Sequence, residues 1–445
     1  MFALALRSVR QRPGRFLATL LSAFLGAVVV MTFGSLQDTA GAPGVDAVSA
    51  ETLRVSSNIV GGYGALLVFF AVASALTVNV RQRGAEIALL RNTGATPAQI
   101  KRMVVGEAVL VGLAAAVLAV GPAMLGGRVL LGLFQDSGQV ADGVDFAFGP
   151  VALGMGVSVT LLASAGAAFL AVRRATRALA GARAGRGRVK KVAGVAALVG
   201  GTGAVLATFA MDATAPALMA APGYGAILLS VGFAIFSPAL LRGLLTVFER
   251  PITALAGASG YLTVQTMRHR AAQLSGLLMP LVLFTGTATA ALYMQAVQTD
   301  AIRASGLVRS VEDKNVATVN LVVVGIVVVF ACLMIINTLY AETSYRRGEF
   351  GRQRLAGATP GQVLRTVGLE GLVLTVTGVF FGTTAGLSGL LAFTAVRTDS
   401  PFPEPGPGVW LLIVAAAATS TLVTGLTTAH RALRDPAVTA ANSTA

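Results

Sequence analysis

The sequence predicts an all-α integral membrane protein of about ten transmembrane helices, and three observations carry that class. Of the 445 residues, 55% are hydrophobic and only 12% are charged, about half the charge of an ordinary soluble domain, and the mean hydropathy is +0.77. Apolar runs near the roughly 20 residues needed to cross a bilayer recur from end to end. The charges between those runs sort by side, which gives the chain a topology.

The runs fall at about 16–36, 59–80, 103–127, 149–172, 192–211, 223–241, 274–297, 317–341, 366–396 and 409–429. With a cytoplasmic N-terminus, 28 of the 34 Lys and Arg lie on the inner side. Only Arg54, Arg128, Arg303, Arg309, Lys314 and Arg397 lie outside. Acids run the other way, 7 inner and 12 outer. This is the positive-inside pattern, so the net charge of +15 is topological and no nucleic-acid partner is expected. A multi-pass cell-membrane protein with both termini cytoplasmic follows.

Span 1 comes after Arg7, Arg10, Arg12 and Arg15, and "AGA" at 40–42 resembles a signal-peptide cleavage site. The apolar run is too long for a signal peptide, and a similar basic-then-apolar pattern recurs internally at 264–280, so span 1 is read as retained. Outer loops are expected at 37–58, 128–148, 212–222, 298–316 and 397–408, none long enough to hold a core of its own. The inner linker 173–191 carries eight basic residues and no acid. It reads as a topology signal, with contact to anionic membrane lipids as the alternative. Pro280 is expected to kink span 7, and a single Cys332 excludes a disulfide framework.

An internal duplication organises these elements. "RGAEIALLRNTGATPAQIKRMVVGE" (83–107) aligns without a gap to "RRGEFGRQRLAGATPGQVLRTVGLE" (346–370). Identities include Arg83/Arg346, Glu86/Glu349, Arg91/Arg354, the four residues of GATP, Gln99/Gln362, Arg102/Arg365 and Glu107/Glu370. Chance apolar similarity does not match charges at fixed spacing. Gly94 and Gly357 suit the left-handed end of a helix. Thr96 and Thr359 suit the N-cap of the next, with Pro97 and Pro360 at its first position. Gln99 and Gln362 then complete a T-x-x-Q capping box. Each copy is therefore an elbow: a short charged helix stops at Gly and restarts as span 3 or span 9. Six spans separate the copies, so both elbows face the same side and the repeat is parallel, not inverted.

Here the chain resembles a family. The stretches 83–107 and 346–370 are similar to the signature of FtsX/MacB-type ABC transporter permeases, in which a charged helix before a Gly-Ala-Thr turn leads into a Glu-started, glycine-rich span. The ten-span layout is similar to bacitracin-export-type permeases but lacks their large extracytoplasmic domain. The resemblance implies two four-helix halves in a parallel pseudo-twofold repeat. The first is 1–178 (spans 1–4, coupling helix about 82–95) and the second 261–436 (spans 7–10, coupling helix about 345–358). A basic linker with connector spans 5–6 (179–260) joins them, and a tail (437–445) follows. It also implies a permease that transmits ATPase-driven motion across the membrane. That motion would export a lipid-like, peptide or antibiotic substrate or act on an extracytoplasmic partner such as a cell-wall hydrolase.

The chain itself reads as a non-enzyme. No lysine follows a glycine, so there is no phosphate-binding loop, and no GxSxG, HExxH or GxGxxG occurs. His269 and His430 lie far apart at inner membrane edges, and no metal site is expected. ATP and Mg²⁺ are expected on two copies of a cytoplasmic ABC ATPase, as the resemblance implies. The coupling set it implies is Arg83, Glu86, Arg91, Gly94, Thr96 and Pro97 in the first elbow, with Arg346, Glu349, Arg354, Gly357, Thr359 and Pro360 in the second. Glu86 and Glu349 can also be read as solvated charges paired with arginines at helical spacing. Glu107 and Glu370 lie about 15 Å beyond their caps, as markers of the inner lipid boundary or as a pairing between halves. Gly378, Gly382 and Gly386 form a close-packing face in span 9. A secondary transporter built from parallel repeats is the alternative, but it would need ionisable groups near the midplane.

Overall fold

The computed structural model describes residues 17–58, 92–179, 186–213, 218–304, 346–398 and 406–442, with scattered single residues between them. The runs predicted at 59–80 and, apart from scattered residues, at 317–341 lie outside the described residues, as do Arg83, Glu86 and Arg91. Among the described residues the regular structure is helical throughout, and eight segments are long and apolar enough to cross a membrane. The chain forms two compact units, 1–183 with 308–333, and 184–307 with 334–445.

In the first unit, α1 (Leu17–Ala40), α2 (Pro97–Asp136) and α3 (Pro150–Leu179) pack against one another. Their shared core is small: Ala27, Met31, Ala116, Ala119 and Ala123. Small residues let the backbones approach, which is how helices associate where lipid removes the hydrophobic driving force. A Cβ on Gly34 would sit 2.8 Å from Ala152 Cα, and Thr32 Oγ1 donates to Ala123 O at 3.3 Å.

The segments 37–58 and 128–148, expected as outer loops, carry helix at 37–40, 47–58 and 128–136. Helix α2 runs to Asp136 because nothing in "RVLLGLFQD" breaks it. It ends at Ser137, whose hydroxyl donates to Leu133 O at 2.8 Å, followed by Gly138 at φ +70°. Residues 47–58 form a helix that Asp46 caps by accepting from Ser49 N at 2.9 Å. The Ser49 hydrogen bonds hold the Asp46 carboxyl below the usual carboxylate range. Asp38 caps α3 from a distance, accepting from the N–H groups of Gly149, Val151 and Ala152 at 2.9, 3.1 and 2.8 Å. A carboxylate there satisfies orphan donors and meets the positive end of the helix dipole.

In the second unit, α4 (Arg186–Ala207) packs on the long element α5 (Ala220–Ala304), and α7 (Pro360–Arg397) packs along α5 and on α8 (Gly408–Leu433). The break in helical dihedrals within α5 falls at Gly257 (φ 56°, ψ −135°) and not at Pro280. A break at Pro280 is unnecessary when only one backbone bond is lost, whereas Gly257 adopts a conformation that Cβ-bearing residues avoid. The stripe in span 9 is a packing face. A Cβ on Gly378 would lie 2.6 Å from Leu281 Cβ, and one on Gly386 would lie 2.7 Å from Gly286 O. Thr285 Oγ1 fills the space over Gly382 and donates to Gly378 O at 3.1 Å. Tyr293, Met294, Leu390 and Phe393 close the core toward the far end. Helices of 40 and 38 residues (α2 and α7) are about 60 Å long, roughly twice the hydrocarbon thickness. Each is one continuous helix that begins at an elbow and is longer than the bilayer is thick.

Candidate functional site: the two elbows

The turn geometry is the same in both copies. Gly94 and Gly357 have φ of +93° and +98°, where only glycine is unstrained. Thr96 and Thr359 sit in extended conformation as N-caps, each accepting from the backbone N–H of Gln99 or Gln362, at 3.2 and 3.3 Å. Gln99 and Gln362 reach back to accept from the cap N–H groups, at 2.9 Å in each case. Both capping boxes are closed, with Pro97 and Pro360 opening the helix.

The second elbow also shows what holds the turn to the membrane helices. The short helix α6 (Arg347–Leu355) precedes the turn. Phe350 on it packs with Val363, Val367, Ala429, Ala432 and Leu433, so this side chain seats α6 on the first turns of α7 and the end of α8. At its start Arg346, only 8% exposed, grips two carboxylates. Its Nε and Nη2 donate to Glu349 at 3.0 and 3.3 Å. Its Nη2 donates to Glu370 Oε1 at 3.1 Å and its Nη1 to Glu370 Oε2. The guanidinium also lies 5.2 Å from the Phe350 ring centroid. Arg270, from α5, approaches Glu349 Oε2 at 3.6 Å. Two arginines and two glutamates make a cluster of zero net charge, which is how charges persist in a low-dielectric bundle. Burial acts to raise the Glu349 carboxyl. The Arg346 hydrogen bond and the charges of Arg346, Arg270 and Arg352 outweigh it and leave the group below the usual carboxylate range. Desolvation works against the Arg346 charge, but Glu370 and Glu349 more than offset it and raise its pKa.

Glu370 thus pairs within its own half, with the residue that opens the elbow. Glu349 faces inward to Arg346 and Arg270 with its side chain one-third exposed. Arg354 also turns inward: its Nη1 donates to Leu433 O and Asp435 O at 3.1 and 2.8 Å, closing the carbonyl end of α8. What points outward is the turn itself, with Arg352, Leu355 (57% exposed), Gly357, Thr359 and Pro360. In the first elbow Leu89, Asn92, Gly94 and Thr96 are similarly exposed, and Glu107 is 1% exposed within α2.

Sequence reasoning missed three partners. Arg270 carries no signal beyond its place in "MRHR". Gly351 approaches the tail helix α9 (Ala437–Asn442) so closely that a Cβ would lie 2.7 Å from Ala441 N. Asp435 lies 3.8 Å from Arg347. Pro436, just ahead of α9, was the available hint that the tail restarts as a helix.

The sequence model of a family described as FtsX-like permease, C-terminal, matches this chain twice, over 58–178 and 321–437. Together the matches cover more than half of the chain. The chain belongs to the FtsX-like permease family. Each match contains one elbow, so the duplication and the family signature coincide. FtsX-like permeases are membrane subunits of ABC-type transporters that work with a cytoplasmic ABC ATPase. No curated protein matches the chain.

Proposed function

We propose that this FtsX-like permease couples two cytoplasmic ATPase subunits, one at each elbow, to movement of the far ends of α2 and α7. The observation that carries this reading is the build of the second elbow. Its outward surface is a capped turn, while Arg346, Glu349 and Arg354 behind it fix it to α5, α7 and α8. A push on Leu355–Thr359 is then delivered to α7 as a rigid body, because α6 cannot slide along α7 without opening the Arg346 cluster. Sub-ångström shifts are amplified when packed elements move as units.

The coupling set divides into two roles on this reading. Gly94, Thr96, Pro97, Gly357, Thr359 and Pro360 shape the docking turn. Arg346, Glu349 and Arg354 hold the second turn, and the aligned Arg83, Glu86 and Arg91 are assigned the same task in the first. The stroke expels a membrane-borne lipid-like or peptide substrate, an antibiotic included, or acts on an extracytoplasmic partner protein. ATP and Mg²⁺ belong to the ATPase subunits. Co-purification tests the reading. Reversing charge at both Glu86 and Glu349 (E86R/E349R) is expected to release the ATPases or uncouple their hydrolysis while the chain still inserts in the membrane. Unchanged association and unchanged substrate-stimulated hydrolysis would reduce the elbows to mere turns.

A further inference from the structure

A groove of about 560 Å³ lies beside the second elbow, lined by Leu364 of α7 and by Leu426, Thr427, His430, Arg431 and Arg434 of α8 and its end. Residues 427, 430, 431 and 434 follow helical spacing and share one face. Thr427, His430, Arg431 and Arg434 are all exposed. We infer that this groove binds the phosphodiester headgroup of an anionic phospholipid of the inner leaflet. The site goes beyond the coupling reading and does not depend on it.

Three observations favour a lipid. First, the apolar window of α8 is buried over only 22% of its residues, so the helix faces lipid along its length, and Val423 is 54% exposed just above the groove. Exposed apolar surface running down into a cationic rim is the profile of a headgroup boundary. Second, the lining carries donors and no carboxylate, and arginine forks fit phosphate oxygens in bidentate fashion. Third, the carbonyl end of a helix ordinarily repels an anion. Here Arg354 donates to Leu433 O and Asp435 O, while the Asp435 carboxylate faces Arg347. Leu433 O, Asp435 O and the Asp435 carboxylate at this end of α8 are therefore already engaged by other cations.

The test is native mass spectrometry of the full chain in detergent, titrated with phosphatidylglycerol or phosphatidylcholine, with inorganic phosphate as competitor. The wild type is expected to prefer phosphatidylglycerol. R431Q/R434Q should weaken that binding about thirtyfold, at roughly 1 kcal/mol for each of the two basic residues near a lipid surface. R431K/R434K should retain more of it, and R54Q, which removes an exposed arginine of the 47–58 helix, should retain all of it. Undiminished phosphatidylglycerol binding by R431Q/R434Q overturns the proposal. Displacement by inorganic phosphate at lipid-equivalent concentration also overturns it, by assigning a free-anion site. Loss of ATPase association in R431Q/R434Q with lipid binding intact overturns it as well, by assigning a protein interface.

Discussion

At the scale of single residues the Arg346 cluster sets the terms. Replacing Glu370 with Gln removes one of two carboxylates from a buried guanidinium, and breaking such a pair costs about 3–5 kcal/mol. Thermal unfolding in detergent should show the loss, and R346M/E370M should recover much of it, since removing both charges leaves neither stranded. Acid should act on the same cluster. The Glu349 carboxyl lies below its ordinary value of 4.5 in the folded chain, so the unfolded state binds its proton first as pH falls. Its stabilising contribution is complete above about 4.5 and is lost as pH drops through the folded value. Arg346 stays charged throughout. E349Q is therefore expected to flatten the fall in melting temperature on acidification; an unchanged acid slope would show that Glu349 is not engaged as described. Glu349 was legible as a charge able to pair with arginines at helical spacing, and Glu370 as an acid at the inner lipid boundary or in a pairing between halves. That they share one arginine was not legible, because the link depends on α6 folding back on α7 across the turn.

At the scale of elements the turns were the most legible part. Gly, Thr, Pro and Gln at fixed offsets each have a local reason, and local chemistry survives tertiary packing. Element ends were less legible. Helix α2 overruns its predicted outer end because composition marks where lipid stops, not where a helix stops. Asp38 capping α3 and α9 packing on Gly351 are long-range contacts with no periodic signature. T96A and T359A should each cost about 1 kcal/mol of helix start, measured as a lowered melting temperature, with ATPase coupling weakened and assembly kept. Gly382→Leu should cost about 1–3 kcal/mol or more by forcing Thr285 aside. Gly351→Leu is expected to expel α9, and increased proteolysis of 437–445 in that variant would report it. Protection equal to the wild type would mean the tail docks by other contacts.

At the scale of the whole molecule the charge sorting predicts sidedness. In a Cys332→Ala background, Ala356→Cys should react only with membrane-permeant thiol reagents and Asp142→Cys should be labelled from outside; the reverse pattern would invert the topology. The two family matches put both elbows in a single polypeptide, and the proposed coupling reading turns that into a stoichiometry. On that reading a permease with one elbow must pair with a second copy to engage two ATPases, whereas one copy of this chain suffices. Counting subunits is therefore the most direct test. Native mass spectrometry of the complex purified with its ATPase is expected to give one copy of this chain with two ATPase subunits. Two copies of the chain in each particle, or a single ATPase that E86R/E349R leaves bound, would contradict the account.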